Sequence, residues 1–432
     1  LDKRYKGLWV TGILFLIAIG VELVFYRSFH IGYLISPDGI LYSNIAENFL
    51  HGQGLVNTVN AAEGKNGIPQ VVAFTRDYVV GPVYPMLLAL VYGLFGLKSY
   101  GMVVLVLHTL LGAAGAVLAY KTGEILFGKK YAWIPYVLTL TYPPFAFWRM
   151  YILTETTYIF MITLVLYLMA RCAQEVERPR IRTLVILGMA IGISNLARPL
   201  LLLFAPVLGF WLWWMNCWRW KQALRDFTII MTMMVVVMSP WWIRNEIKYH
   251  QFIAVSNYGA YEFYLGNNPL TVTDSYFYFA QASFDPEVKA HIEKLPVPQQ
   301  EKEYKQLAEW YIIQHPIKFL SRTLAKETNL FWQPTEYVEG PFYRLKGDLQ
   351  DKCYLILGFI GIILSLSRLK KYSFLILFIA YYSFIVSMIT VVPRYRLPVM
   401  PAMILMASLV LVLAIKGIVR LARLNRQTAR RV

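Results

Sequence analysis

Three acids and five arginines in this chain stand where ionisable groups are costly, at the ends of long apolar segments. The acids are Asp38, Asp77 and Glu155; the arginines are Arg76, Arg198, Arg244, Arg394 and Arg396. A carboxylate held at such an edge can take a proton from an attacking hydroxyl. Guanidinium groups bind phosphate oxygens bidentately, and these bonds strengthen where water is scarce. The chemistry that uses both is group transfer from an anionic lipid to a hydroxyl acceptor.

Each residue also has a plainer reading. Asp38 stands before the run from Tyr42 to Leu50 and also fits a helix N-cap. Glu155 after Thr154 reads as a first-turn acid favoured by the helix dipole, with Thr154 as the cap. Asp77 beside Arg76 also fits a solvated ion pair. A single arginine at a membrane edge can snorkel to ordinary lipid phosphates. Two positions resist that reading. Arg394-Tyr395-Arg396 is held between Pro393 and Pro398, which impose a short turn. Arg198 interrupts a hydrophobic stretch from Leu184 to Trp214, and an ionisable group there points to function.

The elements that must position these groups are membrane helices. Hydrophobic residues make up 57% of the chain and charged residues only 16%, in recurrent long apolar runs. Stretches of spanning length lie near 8–26, 100–120, 131–149, 156–172, 183–198, 199–216, 226–243, 353–367, 372–391 and 397–416, about ten in all. With a cytoplasmic N-terminus, every second link should be basic. Lys121 with Lys129 and Lys130, Arg171 to Arg182, Arg219 to Arg225, Arg368 to Lys371 and the tail from Lys416 meet that pattern. Both termini are then cytoplasmic. The net charge of +17 is thus a topology signal, with no nucleic-acid face implied. The apolar run from Leu8 to Phe25 is too long for a signal-peptide core and reads as a retained first helix.

The short apolar segment Pro82 to Gly96 would disturb this register as a full span, so it reads as juxtamembrane or re-entrant. The organisation is an N-terminal transmembrane module over 1–243, containing a first extracytoplasmic loop at 27–99. A large second loop follows at 244–352, then C-terminal helices and a basic tail at 353–432. In the second loop, Asp285-Pro286-Glu287 reads as a helix start and 300–332 as interfacial amphipathic helix.

Other polar groups suggest less. His108 reads as a packed or hydrogen-bonded core histidine, and Glu22 as an intramembrane acid that snorkels or pairs with an arginine. The tryptophans at 211, 213, 214, 218 and 220 read as an aromatic belt. Cys172, Cys217 and Cys353 lack disulfide or zinc spacing. No cofactor is expected: the acids leave room for a divalent metal, but no DxD pair or histidine-rich site appears.

Several short motifs occur in a telling order. They are Asp38 to Tyr42 followed by Ile45-Ala46 and Gly52-Gln53-Gly54; Gly81-Pro82-Val83-Tyr84-Pro85; Leu126-Phe127-Gly128-Lys129-Lys130; Thr154-Glu155; Ala197-Arg198-Pro199; Pro240-Trp241-Trp242-Ile243-Arg244-Asn245; Gly266-Asn267-Asn268-Pro269; and Arg394-Tyr395-Arg396-Leu397-Pro398. In these the chain resembles the GT-C superfamily of polyprenyl-phosphate-dependent membrane glycosyltransferases, particularly its protein O-mannosyltransferase and lipid A aminoarabinose transferase branch. The resemblance implies an all-α polytopic GT-C fold with juxtamembrane helices in the first extracytoplasmic loop. It also implies an inverting transfer from a lipid-linked sugar. Asp38 would be the base or acceptor-positioning acid, with Glu155 or Asp77 as second acid. Tyr42, Arg76, Arg198, Arg244, Asn267, Arg394 and Arg396 would hold substrate. The frequent Asp-Glu pair of that family is Asp38-Gly39 here, and Arg76 stands near the place of a lysine.

The expected protein is therefore a multi-pass enzyme of a prokaryotic inner membrane, with its site on the extracytoplasmic face. Its donor would be a polyprenyl-phosphate-linked sugar and its acceptor a glycolipid, glycan or protein. A transporter or flippase of lipid-linked saccharides is the alternative. It would also use outer-face arginines, but transporters usually show repeat symmetry or broken mid-membrane helices with buried ions, whereas this chain concentrates its polar groups at one face.

Overall fold

The computed structural model describes residues 3–28, 33–63, 69–72, 79–175, 180–271, 285–292, 294–333, 341–389 and 391–429. Among these, helices dominate, with one antiparallel hairpin of β1 (Asn60–Glu63) and β2 (Pro69–Val72) as an addition to the all-helical expectation. In chain order the helices begin with α1 (Lys3–Ser28), α2 (Pro37–Leu50) and α3 (Val83–Phe95). Next come α4 (Tyr100–Phe127), α5 (Trp133–Leu140), α6 (Pro143–Trp148), α7 (Glu155–Gln174), α8 (Ile181–Ala197), α9 (Ala205–Met215) and α10 (Trp220–Tyr249). The large loop contributes α11 (Gly259–Gly266), α12 (Pro286–Ile292), α13 (Val297–Gln314) and α14 (Pro316–Trp332). The chain then closes with α15 (Pro341–Ser365), α16 (Leu369–Ser387) and α17 (Met400–Ala429).

Six helical segments among the described residues are long and apolar enough to cross a bilayer, and Val83–Phe95, Ile181–Ala197 and Pro199–Met215 are shorter apolar helices. The protein is a multi-pass membrane protein. One of the six, Leu349–Ser387, runs for 39 residues. Unbroken it would measure about 58 Å, nearly twice a hydrocarbon core. The tight turn Leu366–Arg368 divides it into α15 and α16. The span expected at 131–149 is instead two short helices, because Pro143 and Pro144 hold Tyr142 in an extended conformation and stop α5.

Pairs of long helices form the core: α15 packs on α17, α8 on α10, α4 on α7 and α1 on α4. The basic links meet at one end. Lys371 Nζ donates to the Leu126 carbonyl, Lys370 Nζ lies 3.2 Å from Cys217 Sγ, and Lys416 sits 5.1 Å from the Tyr131 ring centroid. Glu155 begins α7 at the opposite end, a 20-residue helix away. Of the expected tryptophan belt, Trp211 instead belongs to the core, buried and donating to Ser373 Oγ at 3.1 Å.

In the large loop, Asp285 caps α12 by accepting from the Glu287 amide at 2.9 Å. Helices α13 and α14 expose Trp310, Ile313, Ile317, Leu320 and Leu324 at helical spacing, which gives the pair an exposed apolar face.

Candidate active site

Helix α2 delivers the first acid. Ser36 rather than Asp38 is the N-cap: its Oγ accepts from the Gly39 amide at 3.2 Å, and Pro37 opens the helix. Asp38 is freed from capping and stands in the first turn. The helix start is pinned because Leu34 exchanges backbone bonds with Met150 and Ile152, at 2.8 and 2.9 Å. A Cβ at Gly39 would lie 2.8 Å from the Ile152 carbonyl oxygen. Glycine is therefore required where the resembling family has the second acid of its Asp-Glu pair, because the backbones approach too closely for any side chain.

Glu155 opens α7 and is fully buried. The expected Thr154 cap is not made, for its hydroxyl has no partner among the described residues. Arg198 ends α8 in an extended conformation that Pro199 demands of its predecessor, and this turns the side chain out of the helix. Its Nη2 donates to Glu155 Oε1 at 2.9 Å. A Cβ at Gly81 would lie 2.2 Å from the Leu196 carbonyl oxygen, so only glycine lets the chain pass this helix end.

Arg394 comes from the turn Pro393–Val399, between α16 and α17. Its Nε lies 3.8 Å from Glu155 Oε1 and its Nη2 3.4 Å from Asp38 Oδ2. Tyr395 lies beneath both arginines, its ring centroid 5.6 Å from the Arg198 guanidinium and 5.8 Å from that of Arg394. Trp148 supplies another face to Arg394 at 5.8 Å. Tyr42 feels the charges of Asp38, Arg198, Glu155 and Arg394. Burial, and then the Asp38 carboxylate, push its phenol above the ordinary value, so it remains a protonated donor.

The structure thus brings together Asp38, Tyr42, Glu155, Arg198 and Arg394. Arg396, Arg244 and Asn267 go elsewhere. Arg396 is fully buried, paired with Asp351 and donating to the carbonyls of Leu330, Phe331 and Gln333. Those partners engage both terminal nitrogens of the guanidinium, so its geometry is that of a structural cross-link. Arg244 donates to the Leu55 carbonyl and lies against the rings of Trp241 and Tyr249 at 4.7 and 5.2 Å, tying the first loop to α10. Asn267 Nδ2 donates to the carbonyls of Phe263 and Met388, joining the large loop to the end of α16. Arg76 and Asp77 lie outside the described residues.

A second buried network underlies the site. Glu22 finds an arginine, Arg149, as its buried partner. His108 is packed and hydrogen-bonded: Nδ1 lies 2.7 Å from the Arg149 carbonyl oxygen and Nε2 3.3 Å from Tyr84 Oη. Tyr84 in turn meets Tyr42 edge-on at 5.4 Å between centroids. Arg149 was missed in the sequence, although it closes an apolar run and so carries the same signal as Arg198. The contact of Asp351 with Arg396 leaves no local signal. Among the described residues no three His, Cys, Asp or Glu side chains are grouped to hold a metal ion.

A family model described as dolichyl-phosphate-mannose-protein mannosyltransferase matches residues 79–243, a segment containing Glu155 and Arg198. No curated protein sequence matches the chain. Among solved structures, the archaeal oligosaccharyltransferase AglB from Archaeoglobus fulgidus, in complex with an inhibitory peptide and a dolichol-phosphate, superposes with a TM-score of 0.61 at 12% identity. That match covers 98% of this chain and 52% of AglB. The Archaeoglobus fulgidus oligosaccharyltransferase tethered to an acceptor peptide gives 0.54 at 13% identity, covering 96% of this chain and 50% of that one. ArnT from Cupriavidus metallidurans, bound to undecaprenyl phosphate, gives 0.45 at 14% identity over 94% of this chain and 78% of ArnT. The chain spans about half the length of the oligosaccharyltransferases, and the likeness to them is one of fold.

Proposed function

We propose that this chain, a membrane protein of the GT-C superfamily, is an inverting glycosyltransferase that moves a sugar from a polyprenyl-phosphate donor to an acceptor hydroxyl. The observation that carries the reading is the Arg394 guanidinium, shared between half-exposed Asp38 and buried Glu155, which also holds Arg198. The family match over residues 79–243 supports the donor class, since its description names a dolichyl-phosphate sugar.

In this mechanism Asp38, the accessible acid, accepts the proton of the acceptor hydroxyl. The acceptor oxygen bonds to the anomeric carbon as the bond from that carbon to the phosphate oxygen breaks, with its electron pair leaving on polyprenyl phosphate. Attack opposite the leaving group inverts the centre. Arg394 and Arg198 meet the phosphate and stabilise the charge it gains. Glu155 is a positioning residue: buried against both guanidiniums, it aims them and balances part of their charge. Tyr42, kept protonated, would donate a hydrogen bond to the bound substrate at the same edge.

Purified protein in detergent, supplied with radiolabelled polyprenyl-phosphate sugars, tests this directly. Label should pass to acceptor with stoichiometric release of polyprenyl phosphate. A protein that translocates intact lipid-linked sugar in vesicles without cleaving it is a flippase, and the reading is then wrong.

A further inference from the structure

We propose that a cavity at the basic end of the bundle is a binding site for one anionic glycerophospholipid, with its phosphate on lysines and an acyl chain in the cavity. The cavity has a volume of about 410 Å³, within the usual range for small-molecule pockets. Its walls are mostly apolar: Ile125 and Leu126 from α4, Ala170 and Ala173 from α7, Met215 from α9 and Phe374 from α16, with Gln174 at the end of α7. Lys370 and Lys371 stand at its edge. Arg368, which ends the turn before α16, and Lys416 are near enough to act electrostatically on Lys371, so that with Lys370 the group numbers four cations.

None of these four is within ion-pair distance of a carboxylate among the described residues. Lys371 donates to a backbone carbonyl and Lys370 to a thiol. Four like charges beside one another raise each other's cost unless an anion joins them. An apolar chamber opening at a cationic rim, at the end of membrane helices, matches a phosphodiester attached to a hydrocarbon chain. A zwitterionic headgroup would bring its own ammonium against the four cations, which selects an anionic headgroup. The site lies at the opposite end of α7 from Glu155 and serves no step of the transfer. A lipid held there would clamp α4, α7, α9 and α16 together.

The test is native mass spectrometry and thermal unfolding of the full-length protein, delipidated in detergent. Dioleoyl-phosphatidylglycerol should be retained at one copy, with at least a tenfold preference over dioleoyl-phosphatidylcholine, and should raise the unfolding midpoint. Arg368→Gln/Lys370→Gln, which spares the Lys371 hydrogen bond, and Ala173→Phe, which fills the chamber, should each weaken retention tenfold or more. Equal retention of the two lipids by the unaltered protein overturns the proposal whether or not the variants fold. Glycerol phosphate competing as well as the full lipid, or polyprenyl phosphate displacing it, overturns it too.

Discussion

Asp38 and Arg394 lie 356 positions apart in the chain and 3.4 Å apart in the fold. This contact joins the first loop to the last, and it lies at the accessible edge of the network, with Asp38 about half exposed. An exposed pair of this kind is worth only ~0–1 kcal/mol of stability. Asp38→Asn should therefore leave the unfolding midpoint nearly unchanged while lowering transfer by ~10²-fold or more, the usual worth of positioned proton transfer. Steady-state rates and a thermal melt on the same preparation check both halves.

Glu155 should behave in the opposite way. Its buried carboxylate neutralises Arg198, so Glu155→Gln leaves a guanidinium without its partner and should cost ~3–5 kcal/mol. Adding Arg198→Met removes the orphaned charge. The double variant should recover most of the stability and none of the activity, as measured by denaturant unfolding and transfer assays.

Gly39→Ala tests the close approach of α2 to Ile152. The added Cβ meets the Ile152 carbonyl oxygen at 2.8 Å and Ile35 Cγ1 at 3.1 Å, an overpacking worth ~1–3 kcal/mol. Relief requires α2 to shift, and Asp38 shifts with it. Activity should fall further than in Ser36→Ala, which loses only the cap at ~1 kcal/mol; equal activity in the two variants would contradict the positioning role.

Lys326 gives a pH dependence. It is buried in α14 with its ammonium donating to the Gly266 carbonyl, and burial together with Arg322 lowers it from 10.5 to about 7. Between those values the unfolded chain binds a proton that the folded protein does not, so this group makes stability rise with pH across that window. Below about pH 7 both states are charged and the burial penalty is complete. Lys326→Met removes the penalty, so its gain in unfolding midpoint over wild type should be larger at about pH 6 than at about pH 10.

Much of the site was legible because charge is expensive in an apolar context. Asp38, Glu155, Arg198 and Arg394 each stood out against a hydrophobic background, and the proline beside Arg198 fixed how it leaves its helix. Arg396 stood out for the same reason, yet the structure gives it to Asp351. Sequence shows that a buried arginine needs a partner and is silent on which of several anions, lipid or protein, supplies it. Gly39 was legible only as a departure from a pattern; its cause, the Ile152 carbonyl, lies in a segment more than a hundred residues away. The break between α5 and α6 was written in Pro143 and Pro144, but hydropathy alone runs straight through it.

The central claim is that Arg394 and Arg198 receive the lipid phosphate. Equilibrium binding of radiolabelled polyprenyl phosphate to purified protein tests this without knowledge of sugar or acceptor. Arg394→Gln should weaken binding at least tenfold, while Arg396→Lys, altering a structural cross-link, should leave the affinity of the folded fraction near that of wild type. Unchanged affinity in a folded Arg394→Gln protein would contradict the claim.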